Sequence, residues 1–181
     1  MKKLAGRKIA FLIEDGFEEI ELVNPKSTLE NAGANTYIIS PKKTKVRSMA
    51  KDEWSNYYDV DFEVKNVSAF EFDALILPGG VINPDKLRTN KNALTFINTF
   101  FGQHKTVAAI CHGAQTLINA GQVKNRRMTA VEALAIDLQN AGAIFADIEV
   151  VIDGNLITSR TPDDLPAFNK AIIAALENSD N

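Results

Sequence analysis

An α/β domain built on a mostly parallel sheet, with helices on both faces and an antiparallel hairpin appended, is the fold class this sequence predicts. Three observations carry it. Apolar runs of strand length at 8–13, 73–77 and 106–110 lack the polar alternation of a half-exposed strand, which marks strands buried on both faces. Segments with apolar residues at helical spacing alternate with them. Near the end, Asp153-Gly154 separates two β-rich arms, 149–152 and 155–159, as a two-residue hairpin turn does.

The elements follow in order. The run 8–13 is a central strand closed by Glu14-Asp15-Gly16. Ile20, Val23, Leu29 and Ala32 then recur as a helix face ending at Gly33, with Pro25 read as an early-turn position rather than a mid-helix one. Residues 36–40 form a second strand, and the polar, alternating stretch 45–64 reads as one or two antiparallel ribbon strands with an exposed side. The strand 73–77 runs into the breaker cluster Pro78-Gly79-Gly80. A helix at 92–101 shows its apolar face through Leu94, Phe96, Ile97 and Phe101, and the strand 106–110 leads to a short helix, 113–120, stopped by Gly121. Helices at 132–141 and 163–176 complete the domain.

With 181 residues and 45% hydrophobic content the chain fills one core, so a single domain over 1–181 is expected. The net charge of −3 leaves no basic stripe, and Lys42, Lys43, Lys45 and Arg47 read as a solvated turn; no nucleic-acid partner is expected. No secretion signal is visible, and the apolar runs fall far short of the ~20 residues that span a bilayer, so a soluble protein without a membrane partner is expected. One cysteine forms no internal disulfide, which favours a reducing cytoplasm. One cysteine and two histidines, His104 and His112, give no zinc spacing; neither metal nor cofactor is expected.

In such sheets ligands collect at the carboxyl ends of the strands, where 14–18, 78–84 and 111–113 would converge. Cys111, between a buried strand and a helix with small residues around it, fits a nucleophile elbow, and a helix N-terminus would hold its pKa below the free value of ~8.5. A buried inert cysteine is the alternative. His112 is either a proton shuttle or a solvated helix-start residue, since neighbours on a sharp turn can point apart. His104 reads as surface decoration. Glu18 is either a buried carboxyl able to donate a hydrogen bond to a thiolate or one more acid at a helix start; for Glu19 and Glu21 the helix-start reading is preferred. The bare amides of Gly79 and Gly80 are available to a ligand, and the Gly80 and His112 N–H groups would make an oxyanion hole.

Phe17-Glu18-Glu19-Ile20-Glu21, Leu77-Pro78-Gly79-Gly80, Ala109-Ile110-Cys111-His112-Gly113 and Thr158-Ser159-Arg160, in this order, resemble the PfpI family of the ThiJ/PfpI superfamily over residues 7–176. The resemblance implies a flavodoxin-like three-layer sandwich, Cys111 as nucleophile and Glu18 as its hydrogen-bonding carboxyl. It also implies a homo-oligomer with the site at or near the subunit interface, where an acid of the neighbouring subunit completes His112. Asp85 best matches that acid, although Val81-Ile82-Asn83-Pro84 is longer by a residue than the family pattern and the family's residue there is a glutamate. Ala114 replaces a frequent proline.

The implied function is a stress-related, cysteine-dependent hydrolase acting on small carbonyl or glycated substrates or on peptides, with deglycase, glyoxalase and intracellular peptidase as its forms. A redox or electrophile sensor or holdase, in which Cys111 is oxidised without turnover, is the alternative. A glutaminase triad is excluded within the chain because no histidine follows His112.

Overall fold

The computed structural model describes residues 2–178. The elements are β1 (Lys8–Leu12), β2 (Phe17–Glu18), α1 (Glu19–Asn31), β3 (Asn35–Ser40), β4 (Lys45–Ala50), β5 (Glu53–Asp59), β6 (Phe62–Glu63), β7 (Ala74–Leu77), α2 (Ile82–Leu87) and α3 (Lys91–Gly102). They continue as β8 (Thr106–Ile110), α4 (Ala114–Asn119), β9 (Arg127–Met128), α5 (Ala135–Asn140), β10 (Ile144–Phe145), β11 (Val150–Asp153), β12 (Leu156–Ser159) and α6 (Leu165–Asn178).

A seven-stranded sheet runs in the order β11-β12-β8-β7-β1-β3-β6. Every neighbouring pair is parallel except the β11–β12 hairpin. The twofold alternation of side chains divides the core in two. Ala10, Leu12, Leu75, Leu77, Val107 and Ala109 face α3 and α4. Ile9, Phe11, Ile13, Ile76, Ala108 and Ile110 face α1 and α6. Phe11, Ile9 and Leu75 are completely buried, each stabilising the fold by about 1.5–3 kcal/mol. The architecture is the flavodoxin-like sandwich, with the carboxyl ends of β1, β7, β8 and β12 along one edge.

Two local features depart from the sequence reading, and a third extends it. Helix α1 begins at Glu19 and passes through Pro25. The proline removes only the bond to the Glu21 carbonyl, near the helix start, and its ring is buried, so packing outweighs the local cost. The segment 82–87, read as loop, is helical: Pro84 sits in its first turn, where a backbone N–H is not required. The ribbon β4–β5 is antiparallel, turns at Lys51 and Asp52 with φ of 51° and 66°, and joins β2 in a separate three-stranded sheet. Among the described residues no helix is long and apolar enough to cross a membrane.

Candidate functional site

Extended backbone at Ile110 (φ −124°) gives way to a left-handed Cys111, φ 57°. A non-glycine residue held there is strained, and it persists because β8 before it and the 3-10 turn Cys111–Gly113 with α4 after it fix the chain on both sides. The turn brings the half-buried thiol to the carboxyl edge, into a pocket of about 340 Å³ that Glu18, Met49, Asp52, Gly80, Ile82 and Pro162 help to line.

The Pro78–Gly80 loop lies beside it. A Cβ on Gly79 would stand 2.8 Å from Glu21 Oε2 and 2.9 Å from Cys111 Cβ, so only glycine lets the backbone pass between the two side chains. Gly80, at φ +76°, passes so close to Gly16 that a Cβ would meet its carbonyl oxygen at 2.3 Å. The Gly79 N–H donates to Glu21 Oε2 at 2.7 Å, while the Gly80 and His112 N–H groups face the Cys111 sulfur. The Gly80 and His112 amides expected to form an oxyanion pair thus both lie at the sulfur. Gly79 does not belong to it, because its N–H is committed to Glu21.

The carboxyl at the thiol is Glu21, and this corrects the assignment of that position to Glu18. Glu18 is extended at the end of β2 and reaches the pocket wall, where burial, Asp52 and Glu19 raise its pKa. Glu21 lies on the buried stripe of α1 with Pro25 and Leu29, at spacings of four, and is completely buried. Extending that stripe backward from Leu29 reaches Glu21, which is the sequence signal the helix-start reading passed over. Glu19 turns outward to accept from Asn56 Nδ2 at 2.7 Å and Tyr58 Oη at 2.5 Å, which hold its pKa down at about 2.

Burial pushes the Glu21 carboxyl up to about 8, against the pull of the Gly79 amide, so it is neutral at pH 7. Its Oε1 is buried without a partner of full hydrogen-bond geometry, and Cys111 couples to the carboxyl through a looser contact. The thiol is pushed up to about 12, by burial first and by charge on Glu21 second, with the His112 and Gly80 amides opposing. This reverses the expected depression: α4 begins only at Ala114 and has six residues, so its dipole is weak against desolvation. Thiol and carboxyl titrate as one pair, and the neutral carboxyl removes the charge that opposes the thiolate.

His112 faces its neighbour, with Nδ1 3.4 Å from Cys111 Sγ. Burial lowers its pKa, which favours the neutral ring. Among the described residues no carboxylate bonds its ring. Asp85 is exposed in the first turn of α2 and does not line its own chain's pocket. His104 lies away from the site, at a left-handed position (φ 55°) after α3. In the motif Thr158-Ser159-Arg160, Arg160 is bound by Asp164 at 2.9 Å and Asp147 at 2.8 Å, a structural clamp at the end of β12. Among the described residues no group of three or more histidine, cysteine or acidic side chains is placed to hold a metal ion.

A model of the DJ-1/PfpI family matches residues 7–175. The chain is 44% identical to the Protein/nucleic acid deglycase 2 of Escherichia coli (strain K12), covering 94% of this chain and 98% of that one. It is 39% identical to General stress protein 18 of Bacillus subtilis (strain 168), with 95% and 99% covered. Its fold matches, at a TM-score of 0.88 and 37% identity, a two-domain protein from Anabaena variabilis containing DJ-1/ThiJ/PfpI-like and ferritin-like domains; 94% of this chain is covered and 50% of that longer one.

Proposed function

The chain belongs to the DJ-1/PfpI family, and from that premise we propose that it is a stress-related, cysteine-dependent hydrolase of small carbonyl compounds or of glycated amino groups. The observation that carries this reading is the convergence on Cys111 Sγ of the neutral Glu21 carboxyl, the His112 ring and the Gly80 and His112 amides.

Cys111 Sγ attacks a carbonyl carbon, and the C=O electron pair moves to oxygen, where the two amides receive it. His112 takes the thiol proton and returns it to the oxyanion or, on a glycated group, to the departing amine. The thiohemiacetal of an α-oxoaldehyde passes its C–H proton to the adjacent carbonyl oxygen to give an enediol, and the hemiacetal O–H proton then moves to the second carbon to give a thioester; water releases the hydroxy acid and restores the thiol. The names of the E. coli and B. subtilis relatives support substrates of this class and a role in stress. A pocket of about 340 Å³ suits a small group better than a long peptide.

Asp85, exposed on α2, completes His112 of a neighbouring subunit in this reading, and the chain forms an oligomer in the cytoplasm. The absence of an acid at His112 among the described residues favours one alternative: a sensor in which Cys111 is oxidised without turnover.

The deciding experiment compares methylglyoxal consumption and peptide hydrolysis for the wild type, Cys111→Ser and His112→Ala. Turnover lost in Cys111→Ser and reduced in His112→Ala supports the enzyme and selects its substrate. No turnover from a Cys111 that oxidises readily favours the sensor.

A further inference from the structure

Asn83, in the first turn of α2, is completely buried and uses its whole carboxamide. Oδ1 accepts from the Glu14 N–H at 2.7 Å, and Nδ2 donates to the carbonyl oxygens of Pro78 at 2.9 Å and Gly79 at 3.0 Å. One backbone donor and two backbone acceptors admit only this orientation of the amide. The side chain therefore joins three segments: the exit of β1, the exit of β7 and α2.

The loop it grips carries the site's two glycine amides, with the Gly79 N–H on Glu21 and the Gly80 N–H on Cys111. Asn83 itself is not part of the pocket lining. We propose that Asn83 is a positioning residue for the reactive cysteine: its carboxamide clamps the Pro78–Gly80 loop to the end of β1 so that these two amides stay aimed at Glu21 and Cys111.

The direction of the effect follows. Without the clamp, the buried Glu14 N–H and the Pro78 carbonyl lose a partner and the Gly79 carbonyl is left with the Glu18 N–H at 3.3 Å, so the loop is freed to move. Such movement withdraws the Gly80 N–H from the sulfur and weakens the thiolate. The titratable groups around Cys111 are Glu21 from α1, Glu18 from β2, Asp52 from the β4–β5 turn and His112 beside it. Asn83 bonds none of these side chains. An altered thiol titration in an Asn83 variant must therefore travel through the loop.

The inference rests on Cys111 as the reacting thiol but not on its substrate. The test is the pH dependence of Cys111 alkylation by iodoacetamide, with unfolding midpoints, for the wild type, Asn83→Ala, Asn83→Ser and Asn169→Ala. Asn169 is the control: a remote buried asparagine whose Nδ2 bonds Asn24 at 2.7 Å. Asn83→Ala should slow alkylation at pH 7 about tenfold, as a rise of about one unit in apparent pKa does. Asn83→Ser, with one hydroxyl for one partner, should fall between it and the wild type. Asn169→Ala should lower the midpoint and leave the profile in place. An unchanged profile in Asn83→Ala, or an equal shift in Asn169→Ala, overturns the proposal; if Asn83→Ala does not fold, Asn83→Ser is held to the same criteria. A wild-type Cys111 that resists alkylation at every pH counts against the proposed enzyme, whereas a reactive one indifferent to Asn83 counts only against the clamp.

Discussion

The seven-stranded sheet and the three-stranded ribbon beside it obey different rules. In the sheet, β1, β7 and β8 are buried on both faces, and the loops at their ends are tied down by buried groups such as Asn83. In the ribbon, β5 is mostly exposed, with Trp54 at 46% and Tyr57 at 62% accessibility on either side of Arg47. The ribbon lends Met49 and Asp52 to the pocket wall, while the reacting groups stand on the sheet. Rigidity is concentrated where chemistry needs fixed geometry, and the surface that can vary lies beside it.

Core truncation should separate the two regions most. Phe11→Ala, in the middle of β1, should cost about 3–5 kcal/mol in denaturant unfolding, and Tyr57→Ala no more than about 1 kcal/mol. A ribbon variant as costly as the core variant would mean that the two sheets form one cooperative unit with a shared core.

The dependence of stability on pH should come next. Folding raises Glu21 from 4.5 to about 8, so between these values the folded chain holds a proton that the unfolded chain has lost. Its contribution to stability is therefore complete below pH 4.5, declines as pH rises through the window and levels off above pH 8, with a slope on the order of 1.4 kcal/mol per pH unit. Glu21→Gln should remove this decline in unfolding curves measured from pH 5 to pH 8. Retention of the full slope would show that another group holds the proton.

The two carboxyls of the α1 start give a finer contrast. Glu21→Gln should move the apparent pKa of Cys111 alkylation by about one unit or more, and Glu18→Gln by a few tenths, because only Glu21 is bound beside the sulfur. The reverse ranking would return the role to Glu18.

How much of this was legible in the sequence follows the same division. Continuous apolar runs disclose the buried strands, and the strand-end rule places Cys111, Gly80 and His112 at one edge from the sequence pattern alone. The acidic run 18–21 was harder, since only three positions separate Glu18 on the pocket wall from Glu21 beneath the thiol. The register of the run depends on where β2 becomes α1, which the β2–β4 pairing decides through contacts remote in sequence. The thiol pKa was misjudged for a related reason: a helix start is visible in sequence, but desolvation of the sulfur is set by the packing of the Pro78–Gly80 loop. Asn83 looked like a loop residue because its partners are backbone groups up to 69 positions away.

The smallest effect belongs to the ribbon's outer face. The Arg47 guanidinium lies 5.5 Å from the Trp54 ring centre and 5.1 Å from that of Tyr57, and its Nε donates to the Ser55 carbonyl at 3.2 Å. At exposed rings such contacts contribute about 0.5–1 kcal/mol each, and water recovers part of that when they are lost. The ribbon is anchored from its other face, where Tyr58 meets Phe17 edge-on with ring centres 5.5 Å apart and its hydroxyl binds Glu19. Arg47→Ala should therefore lower stability by about 1 kcal/mol and leave Cys111 alkylation unchanged at every pH. A shift in the alkylation profile would show that the ribbon governs the site rather than walling it, and the division between rigid sheet edge and variable wall would have to be abandoned.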